Sequence, residues 1–199
     1  MIYLLRHGET VWNTADRFQG HKDSPLTKRG IEQADQMGKL LSREITGRER
    51  QFKGYVSPLG RAKETAARIA KIAPLTFAEE PRLMEVSVGT WNGMTLYEIG
   101  VEYPDALNGS DAFDWYFRSP NGESFDQACK RVSSWLSEVS TPTVAISHGL
   151  TSRLLRGVYL GLSKREMLKL PVPQSGFYRL NGGSSEFVDD AQPNNLEKR

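Results

Sequence analysis

Two short stretches of the chain are apolar without any alternation between apolar and polar positions. Residues 2–5 read Ile-Tyr-Leu-Leu, and residues 143–146 read Thr-Val-Ala-Ile. A strand with one face in water alternates, whereas a continuous apolar run is typical of a strand that helices cover on both faces. We therefore predict that both stretches are buried central strands of a sheet.

A period of three to four residues follows the first apolar run. After Thr27, which is a suitable helix N-cap, apolar and small residues recur at this spacing and predict one helix that ends before Gly47. Residues 59–73 predict a second helix, and the stretches 54–56 and 75–77 on either side of it predict short strands. Strand and helix thus alternate along this half of the chain.

The second half of the chain continues this alternation. Thr95 with Glu98, and Ser124 with Gln127, have the spacing of capping boxes, which predicts helices that begin near residues 96 and 125. Alternating strands and helices are typical of a three-layer α/β/α domain with a mostly parallel central sheet, and this is the fold class we predict. The other predicted elements are a helix end near residue 139, a helix over 150–160, and a hairpin of 176–180 with 186–188 around Asn181-Gly182-Gly183.

The length of 199 residues fits one domain that can bury a substantial core. We predict a single domain over residues 1–188 and a polar tail at 189–199. Long loops inside compact domains are often lids, so we also predict a small lid insertion at about residues 95–122. The alternative is that aromatic residues in the segment 104–122 only fasten it to the body of the domain. These residues are Phe113, Trp115, Tyr116 and Phe117.

The composition excludes several classes of partner. The chain has 26 Lys plus Arg and 24 Asp plus Glu, so it lacks the strong positive field of a nucleic-acid-binding protein. It has neither a basic leader followed by an apolar run nor a window near the roughly 18 apolar residues of a membrane span. We expect a soluble, cytoplasmic protein without nucleic-acid or membrane partners, and leave a homodimer open. Cys129, the single cysteine, is expected to be a core residue rather than a catalytic thiol.

Two of the three histidines stand in the same context. His7 comes just after the first apolar run and His148 just after the second, and a glycine follows each of them. In open α/β sheets, ligands bind at the carboxyl ends of the strands. A single histidine more often has a core or surface role, but the repeated context indicates that both histidines belong to a site.

Several groups near these histidines suit an anion. Arg6 carries a permanently charged donor fork, Arg61 lies at the start of a predicted helix, and Gly149 opens another helix. Glycine also lets backbone N–H groups approach an oxyanion closely. With Glu85 as a carboxylate and His7 as a nucleophile, the set favours phosphoryl transfer, in which an acid protonates the leaving alkoxide. On these residues alone, Arg61 and Glu85 as solvated surface groups stay open as alternatives.

The motifs that carry this chemistry resemble those of the histidine phosphatase superfamily, in its phosphoglycerate-mutase-like branch. The resemblance implies that His7 is the phosphorylated nucleophile and that Glu85 is the proton donor and acceptor. It also implies a set of phosphate- and substrate-binding residues, namely Arg6, Arg61, His148, Asn13, the backbone of Gly149, Gln19 and Gly20. The matching motifs, in the family's order, are Arg6-His7-Gly8-Glu9-Thr10 with Trp12-Asn13, Asp23-Ser24-Pro25-Leu26-Thr27, Ser57-Pro58-Leu59-Gly60-Arg61-Ala62, Gly89-Thr90-Trp91-Asn92-Gly93, Gly122-Glu123-Ser124 and Ser147-His148-Gly149.

The sequence departs from the family's commonest pattern at two positions. Asn92 stands where a glutamate is frequent, and His21 stands where mutases often carry tryptophan. A metal site formed by His21 with the other two histidines is disfavoured, because two arginines would place positive charge in the same pocket. We therefore expect neither a metal ion nor another cofactor, and we leave the role of His21 open.

Three functions fit these residues. The first is hydrolysis of a small phosphate monoester, the second is a bisphosphoglycerate-dependent phosphoglycerate mutase, and the third is a non-catalytic module that binds a phosphorylated ligand. The presence of His7, Glu85 and His148 disfavours the third. Acidic charge in the predicted lid favours hydrolysis, because retaining an anionic bisphosphate there would be unfavourable. The segment 98–118 contains Glu98, Glu102, Asp105, Asp111 and Asp114 against the single basic residue Arg118.

Overall fold

The computed structural model describes residues 1–110 and 114–190, and these residues form a six-stranded sheet between two layers of helices. The strands are β1 (Ile2–Arg6), β2 (Lys53–Val56), β3 (Phe77–Glu79), β4 (Thr143–Ser147), β5 (Phe177–Asn181) and β6 (Ser184–Val188). Their order in the sheet is β3-β2-β4-β1-β5-β6. The first four in this order are parallel, whereas β5 runs antiparallel to β1 and β6 antiparallel to β5. The predicted mostly parallel sheet is confirmed.

Helices cover both faces of the sheet. They are α1 (Val11–Thr14), α2 (Lys28–Ile45), α3 (Gly60–Ala70), α4 (Leu96–Glu102), α5 (Phe125–Glu138), α6 (Gly149–Leu160) and α7 (Lys164–Lys169). Tyr3 and Leu5 of β1 pack against α2 and α3, while Ile2 and Leu4 pack in the core that α5, α6 and α7 form on the other face. The apolar run in β1 lacks alternation because both faces of the strand are buried. The three-layer α/β/α architecture is thus confirmed.

The sheet brings the two histidine motifs together. Strands β1 and β4 are neighbours, and Arg6, the last residue of β1, pairs with Ser147, the last residue of β4. Because the two strands are parallel and in this register, His7 and His148 leave the sheet side by side at its carboxyl edge.

Helix starts follow the predicted caps. The Thr27 side chain accepts a hydrogen bond from the Gly30 N–H, and the capping boxes of α4 and α5 are both formed. The short helices α1 and α7 were not predicted. The signal for α7 was a capping box between Ser163 and Glu166, but its six residues, four of them charged, show no clear apolar period.

Predicted boundaries were wrong at three elements, the third strand, the second long helix and the last strand, which begins at Ser184 rather than at residue 186. The third strand begins at Phe77 rather than at residue 75, because Leu75 is buried in the core beside α3 and pairing with β2 starts only at Phe77. The second long helix ends at Ala70 rather than at residue 73. The errors at the helix end and the third strand fall where buried apolar residues, Ala73 and Leu75, lie in the irregular segment between α3 and β3, so that burial and regular structure do not coincide.

The predicted lid insertion and the segment just before it share a small hydrophobic cluster, which we call the insertion core. Val88, Trp91 and Ile99 are buried in it. Phe18 packs against two aromatic residues of the insertion, with its ring centroid 4.8 Å from that of Trp115 and 5.3 Å from that of Tyr116. These aromatic residues therefore fasten the insertion to the body of the domain. Phe113, Asp111 and the tail from residue 191 lie outside the described residues, and the domain boundaries stay a prediction.

None of the helices in the described part of the chain is both long and apolar enough to cross a membrane.

Candidate active site

A cavity of about 690 Å³ opens at the carboxyl edge of β1 and β4. The sequence-predicted site residues converge on it, with one exception, His148, which lies next to the cavity but does not line it. Those that line its wall are Arg6, His7, Asn13, Gln19, Gly20, Arg61, Glu85 and Gly149.

The imidazole of His7 is held in one tautomer. Its Nδ1 lies 2.7 Å from the Gly8 carbonyl oxygen, which can only accept, so Nδ1 carries the proton and donates. Its Nε2 accepts a hydrogen bond of 3.2 Å from Nε of Arg61. Burial lowers the pKa of His7 well below its usual range, and the charges of Arg61 and Arg6 lower it further. The ring is therefore neutral at pH 7, with an unprotonated nitrogen of the kind a nucleophile needs.

Arg61 is immobilised by partners on each of its nitrogens. Besides the bond to His7, Nη1 donates to the Lys22 carbonyl (2.8 Å) and to Asp23 (2.7 Å), and Nη2 donates to the Gly20 carbonyl (2.9 Å). Its side chain is 1% exposed. The alternative of a solvated surface arginine is therefore wrong.

Asp23 is a site residue to which the sequence analysis assigned no role. Besides pairing with the Arg61 guanidinium, its carboxylate accepts hydrogen bonds from the backbone N–H groups of Gly60 (2.7 Å) and Arg61 (3.3 Å). It thereby caps α3, whose own N-cap residue, Leu59, provides no side-chain cap. One carboxylate thus fixes both the start of α3 and the arginine that contacts His7.

His148 lies behind the cavity wall, with its ring centroid 5.1 Å from that of His7. Its Nε2 is 2.7 Å from the Ser57 hydroxyl, and the residue is fully buried. Burial lowers its pKa well below the usual range, and the charge of Arg61 adds to this effect. Nδ1 of His148 and Nε of Arg6 are both buried and have no hydrogen-bond partner in the described parts of the chain. Buried polar atoms without partners are uncommon in folded proteins, and these two lie beside the nucleophile candidate.

Glu85 lies across the N-terminus of α6. Its carboxylate accepts hydrogen bonds from the backbone N–H groups of Val86 (2.9 Å), Leu150 (3.2 Å) and Thr151 (3.0 Å), and one of 3.1 Å from the Thr151 hydroxyl. A carboxylate at this position interacts favourably with the helix dipole. The alternative of a solvated strand-end glutamate is wrong, because this side chain is anchored at the cavity wall.

The glycine after His7 has a different use from the one expected. The Gly8 N–H donates to the Thr65 hydroxyl (3.1 Å), so it does not point to an oxyanion. A Cβ atom at this position would lie 2.2 Å from the Gly30 carbonyl oxygen. Gly8 is required here because the loop after β1 packs directly on the backbone of α2.

Polar side chains hold the loop that follows His7. Asn13 accepts hydrogen bonds from the Thr10 N–H (3.1 Å) and from Nε2 of Gln174 (3.3 Å), and Gln19 donates to the Thr10 hydroxyl (2.7 Å). Gln174 also donates to the carbonyl of His7 (3.1 Å) and lines the cavity. Gln174 was missed because it lies in an irregular segment between α7 and β5, where no pattern marks it.

His21 is exposed, and its Nε2 donates to the Glu85 carbonyl oxygen over 2.8 Å. It therefore supports the backbone of Glu85 from outside the cavity. Within residues 1–110 and 114–190, no group of three or more His, Cys, Asp or Glu side chains is placed to hold a metal ion. Independence of a metal stays a prediction.

The cavity wall also includes apolar groups and a further basic group. Phe18, Leu96 and Tyr116 line it together with Arg153 of α6. Burial and the charge of Glu85 raise the pKa of Tyr116 to about 12, so this phenol is neutral. Arg153 donates through Nε to the Leu170 carbonyl (2.7 Å).

The acidic residues of the insertion that the structure describes do not line this cavity. Glu98 is held by Arg17 in a two-bond ion pair, and Asp114 pairs with Lys164 and Arg118. None of the described acidic residues from Glu98 to Arg118 lines the cavity. The argument that their charge repels a bisphosphate therefore loses its support from the described residues, because Glu98 and Asp114 are paired with basic side chains and none of these carboxylates lines the cavity.

Comparisons with known proteins agree with this geometry. The family model described as the histidine phosphatase superfamily (branch 1) matches residues 2–190. Phosphoserine phosphatase 1 of Hydrogenobacter thermophilus is 33% identical over 166 residues, which are 81% of this chain and 76% of that protein. "Probable phosphoglycerate mutase GpmB" of Yersinia pestis (strain Pestoides F) is 33% identical over 197 residues, which are 94% of this chain and 87% of that protein.

A solved structure gives the same result for the fold. The α-ribazole phosphatase from Shigella flexneri superposes with a TM-score of 0.79 at 26% identity, covering 94% of both chains. The six-stranded sheet and its helical layers are thus shared over nearly the full length. Because the family model extends over nearly the whole chain, the chain belongs to the histidine phosphatase superfamily, whose relatives here include phosphoglycerate-mutase-like proteins.

Proposed function

We propose that this chain hydrolyses a small phosphate monoester through a phosphohistidine on His7, with Glu85 as the general acid. The observation that carries the proposal is the state of His7: a neutral ring at the cavity wall, with Nδ1–H bound to the Gly8 carbonyl and Nε2 unprotonated. Such a nitrogen attacks phosphorus without first losing a proton.

In the first half-reaction, Nε2 of His7 forms a bond to phosphorus as the bond from phosphorus to the ester oxygen breaks. The Nε2 lone pair is then no longer available to Arg61, so the Nε–H of Arg61 turns to a phosphoryl oxygen. Arg6 and the N-terminus of α6 at Gly149 add positive potential at the same place, which stabilises charge on the equatorial oxygens. The protonated form of Glu85 gives its proton to the leaving alkoxide and becomes a carboxylate.

In the second half-reaction, Glu85 is a carboxylate and takes a proton from the water molecule that attacks phosphorus. The bond from phosphorus to Nε2 breaks, inorganic phosphate leaves, and His7 is neutral again. Among the described residues, three carboxylates line the cavity, those of Glu9, Asp16 and Glu85. Glu85 suits the role best because the start of α6 anchors it beside Gly149 at the phosphoryl end.

The direct test is to trap the intermediate. A rapid quench under alkaline conditions after mixing with ³²P-labelled ester should give a base-stable, acid-labile phosphoenzyme, and His7→Ala should remove both label and turnover. Cys129→Ser is the control, since burial raises the pKa of that thiol and keeps it protonated, and it should retain the label. A label on serine or on Cys129 would exclude this mechanism. Full activity after treatment with a chelator is also expected.

The acid role is tested with leaving groups. We expect Glu85→Gln to slow the best alkyl ester of a panel of sugar phosphates, phosphoglycerates, phosphoserine and nucleotides by about 10²- to 10⁴-fold, as is typical of lost acid catalysis. The loss on p-nitrophenyl phosphate should be much smaller, because nitrophenolate leaves without a proton. Equal losses on both esters would show that Glu85 only binds or stabilises.

A phosphoglycerate mutase is the second candidate, since the relative with that name covers 94% of this chain. Besides Arg6 and Arg61, the described cavity wall carries the guanidinium groups of Arg17 and Arg153. Hydrolysis is favoured because Arg17 is already held by Glu98 and the Gly93 carbonyl, and Nε of Arg153 by the Leu170 carbonyl. Arg17 is therefore not available to retain a second phosphate. With 3-phosphoglycerate and catalytic 2,3-bisphosphoglycerate, release of inorganic phosphate should exceed isomerisation. A mutase rate a hundredfold above hydrolysis would reverse this order.

A further inference from the structure

The backbone that carries Glu85 is held by donors from four other parts of the chain. Residues 84–88 form neither helix nor strand, so no regular ladder sets their position. We take residues 82–87 as the segment that carries Glu85. Five of its six carbonyl groups accept a hydrogen bond from a residue outside the segment. The pairs are Arg82 O and Met84 O with Nη1 of Arg131 (2.7 and 3.0 Å), Leu83 O with the Ser147 hydroxyl (2.8 Å), Met84 O also with the Thr151 hydroxyl (2.7 Å), Glu85 O with His21 (2.8 Å) and Ser87 O with the Glu123 N–H (2.8 Å).

Arg131 of α5 is the donor in this set whose side chain binds two of the carbonyls through one nitrogen. Its Nη1 spans two carbonyls, while its Nε and Nη2 bind Glu123 in a two-bond ion pair of 2.8 and 2.7 Å. The side chains of Arg131 and Glu123 are only 18% and 15% exposed. The planar fork of the guanidinium is thus oriented by Glu123, and this orientation aims Nη1 at the backbone just before Glu85.

Glu123 holds the same segment from its other end. Its backbone N–H donates to the Ser87 carbonyl, two residues after Glu85, while its carboxylate orients Arg131. The Glu123–Arg131 pair therefore brackets the peptide that carries the carboxylate. It also gives a physical use to the motif Gly122-Glu123-Ser124, of which the capping box of α5 uses only the serine.

A neighbouring arginine links this segment to α5 without any side-chain hydrogen bond to a backbone carbonyl. Arg82 also joins the segment to α5, with two hydrogen bonds each to Glu80 and Glu138. Its side-chain donors bind carboxylates and the Ser134 hydroxyl, and none binds a backbone carbonyl. The Arg82 ion pairs are therefore a matched comparison for the Arg131 pair. They join the same segment to the same helix through the same kind of group, but they make no hydrogen bond to the backbone that carries Glu85.

We propose that Arg131, oriented by Glu123, is a positioning residue that sets the distance between the Glu85 carboxyl and the leaving oxygen. This inference rests on the proposed function, in which Glu85 transfers the proton. Proton transfer is sensitive to distance, and a misplacement of about 1 Å in a catalytic group costs up to roughly 10²-fold in rate. The attack of His7, by contrast, depends on a different strand end and different contacts.

The test measures kcat/KM of Arg131→Met for two esters that differ in leaving group. Arg131→Lys is a second variant, which keeps the charge but loses the planar guanidinium. We expect kcat/KM for the best alkyl ester to fall about 10- to 10²-fold, as for a displaced catalytic group, and kcat/KM for p-nitrophenyl phosphate to change much less. In the double variant with Glu85→Gln, the Arg131 substitution should add no further loss on the alkyl ester. Thermal unfolding checks that each variant is folded, and Arg131→Lys is used if the methionine variant is not.

Arg82→Met is the matched control and should lose stability without changing the ratio of the two esters. If Glu85→Gln separates the esters but neither Arg131 variant does, Arg131 is only structural and the inference is wrong while the acid role stands. If Glu85→Gln itself fails to separate them, the acid role and this inference are both wrong. Losses in the Arg131 variants that add fully to that of Glu85→Gln would also contradict the inference.

Discussion

Removing the Asp23 carboxylate should affect the stability of the fold and the reactivity of His7 together. In Asp23→Ala, α3 loses its cap, which costs about 1 kcal/mol. Arg61 loses a charge-assisted hydrogen bond of 2.7 Å, which contributes about 1.5–3 kcal/mol. Because the Asp23 side chain is 36% exposed, water replaces part of this interaction, and we expect a total loss of about 2–4 kcal/mol. For a chain of this size, that lowers Tm by about 4–16 °C.

The effect on activity has a separate cause. Without Asp23, Nη1 of Arg61 keeps only the Lys22 carbonyl, and the guanidinium can turn away from Nε2 of His7. We expect kcat/KM for p-nitrophenyl phosphate to fall by about 10²-fold, as for a misplaced catalytic group. This ester tests the phosphoryl end of the site, because its leaving group needs no proton.

The matched control is Asp35→Ala. Asp35 forms a two-bond pair with Arg68 of the same helix α3, but this pair lies away from the cavity and both side chains are about one third exposed. We expect a loss of about 0–1 kcal/mol and unchanged kcat/KM. If Asp23→Ala lowers Tm but keeps full activity, Arg61 does not depend on Asp23 and the reasoning is refuted.

Three further predictions follow from buried groups. Gly30→Ala should lower the free energy of unfolding by about 1–3 kcal/mol, because its Cβ would lie 2.0 Å from the Glu9 carbonyl oxygen. Gly100→Ala on α4, whose Cβ would meet Leu107 Cδ1 at an ordinary 3.7 Å, should be neutral or stabilising by thermal unfolding. Histidine NMR of the free protein should show His7 and His148 neutral at about pH 6; midpoints near the ordinary 6.5 would contradict their burial. Because the unfolded chain then binds more protons, the free energy of unfolding should fall as pH drops below 6.5, and His148→Asn should reduce this slope in urea titrations.

The parts of the fold that the sequence predicts are those with a local signal. The runs at residues 2–5 and 143–146 show no alternation because both faces of β1 and β4 are buried. This pattern can be recognised in the sequence without knowledge of the tertiary structure. The histidines that follow them are predictable for the same reason, since they lie at the ends of those strands. Caps such as Thr27 also need only neighbouring residues.

The support of the site was not predictable in this way. Asp23 and Arg61 are 38 positions apart, and Arg131 is 47 positions from the Met84 carbonyl that it binds. Nothing in the local pattern distinguishes these residues from solvated charges, because their partners are set by how the layers pack. The acidic residues of the insertion show the converse error: their charge is visible in the sequence, but their ion pairs with Arg17 and Lys164 are not.

The separate insertion core has a consequence for how this enzyme can evolve. Val88, Trp91 and Ile99 are packed apart from the two cores that flank the sheet, yet the aromatic residues around them include Tyr116, which forms part of the cavity wall. Val88 itself also lines the cavity, so substitutions in the insertion core are expected to change the shape of the cavity wall directly as well as through Tyr116. The two strand ends that carry His7 and His148 belong to other elements, so variation in the insertion core offers a route to a different fit for the substrate with the same strand ends.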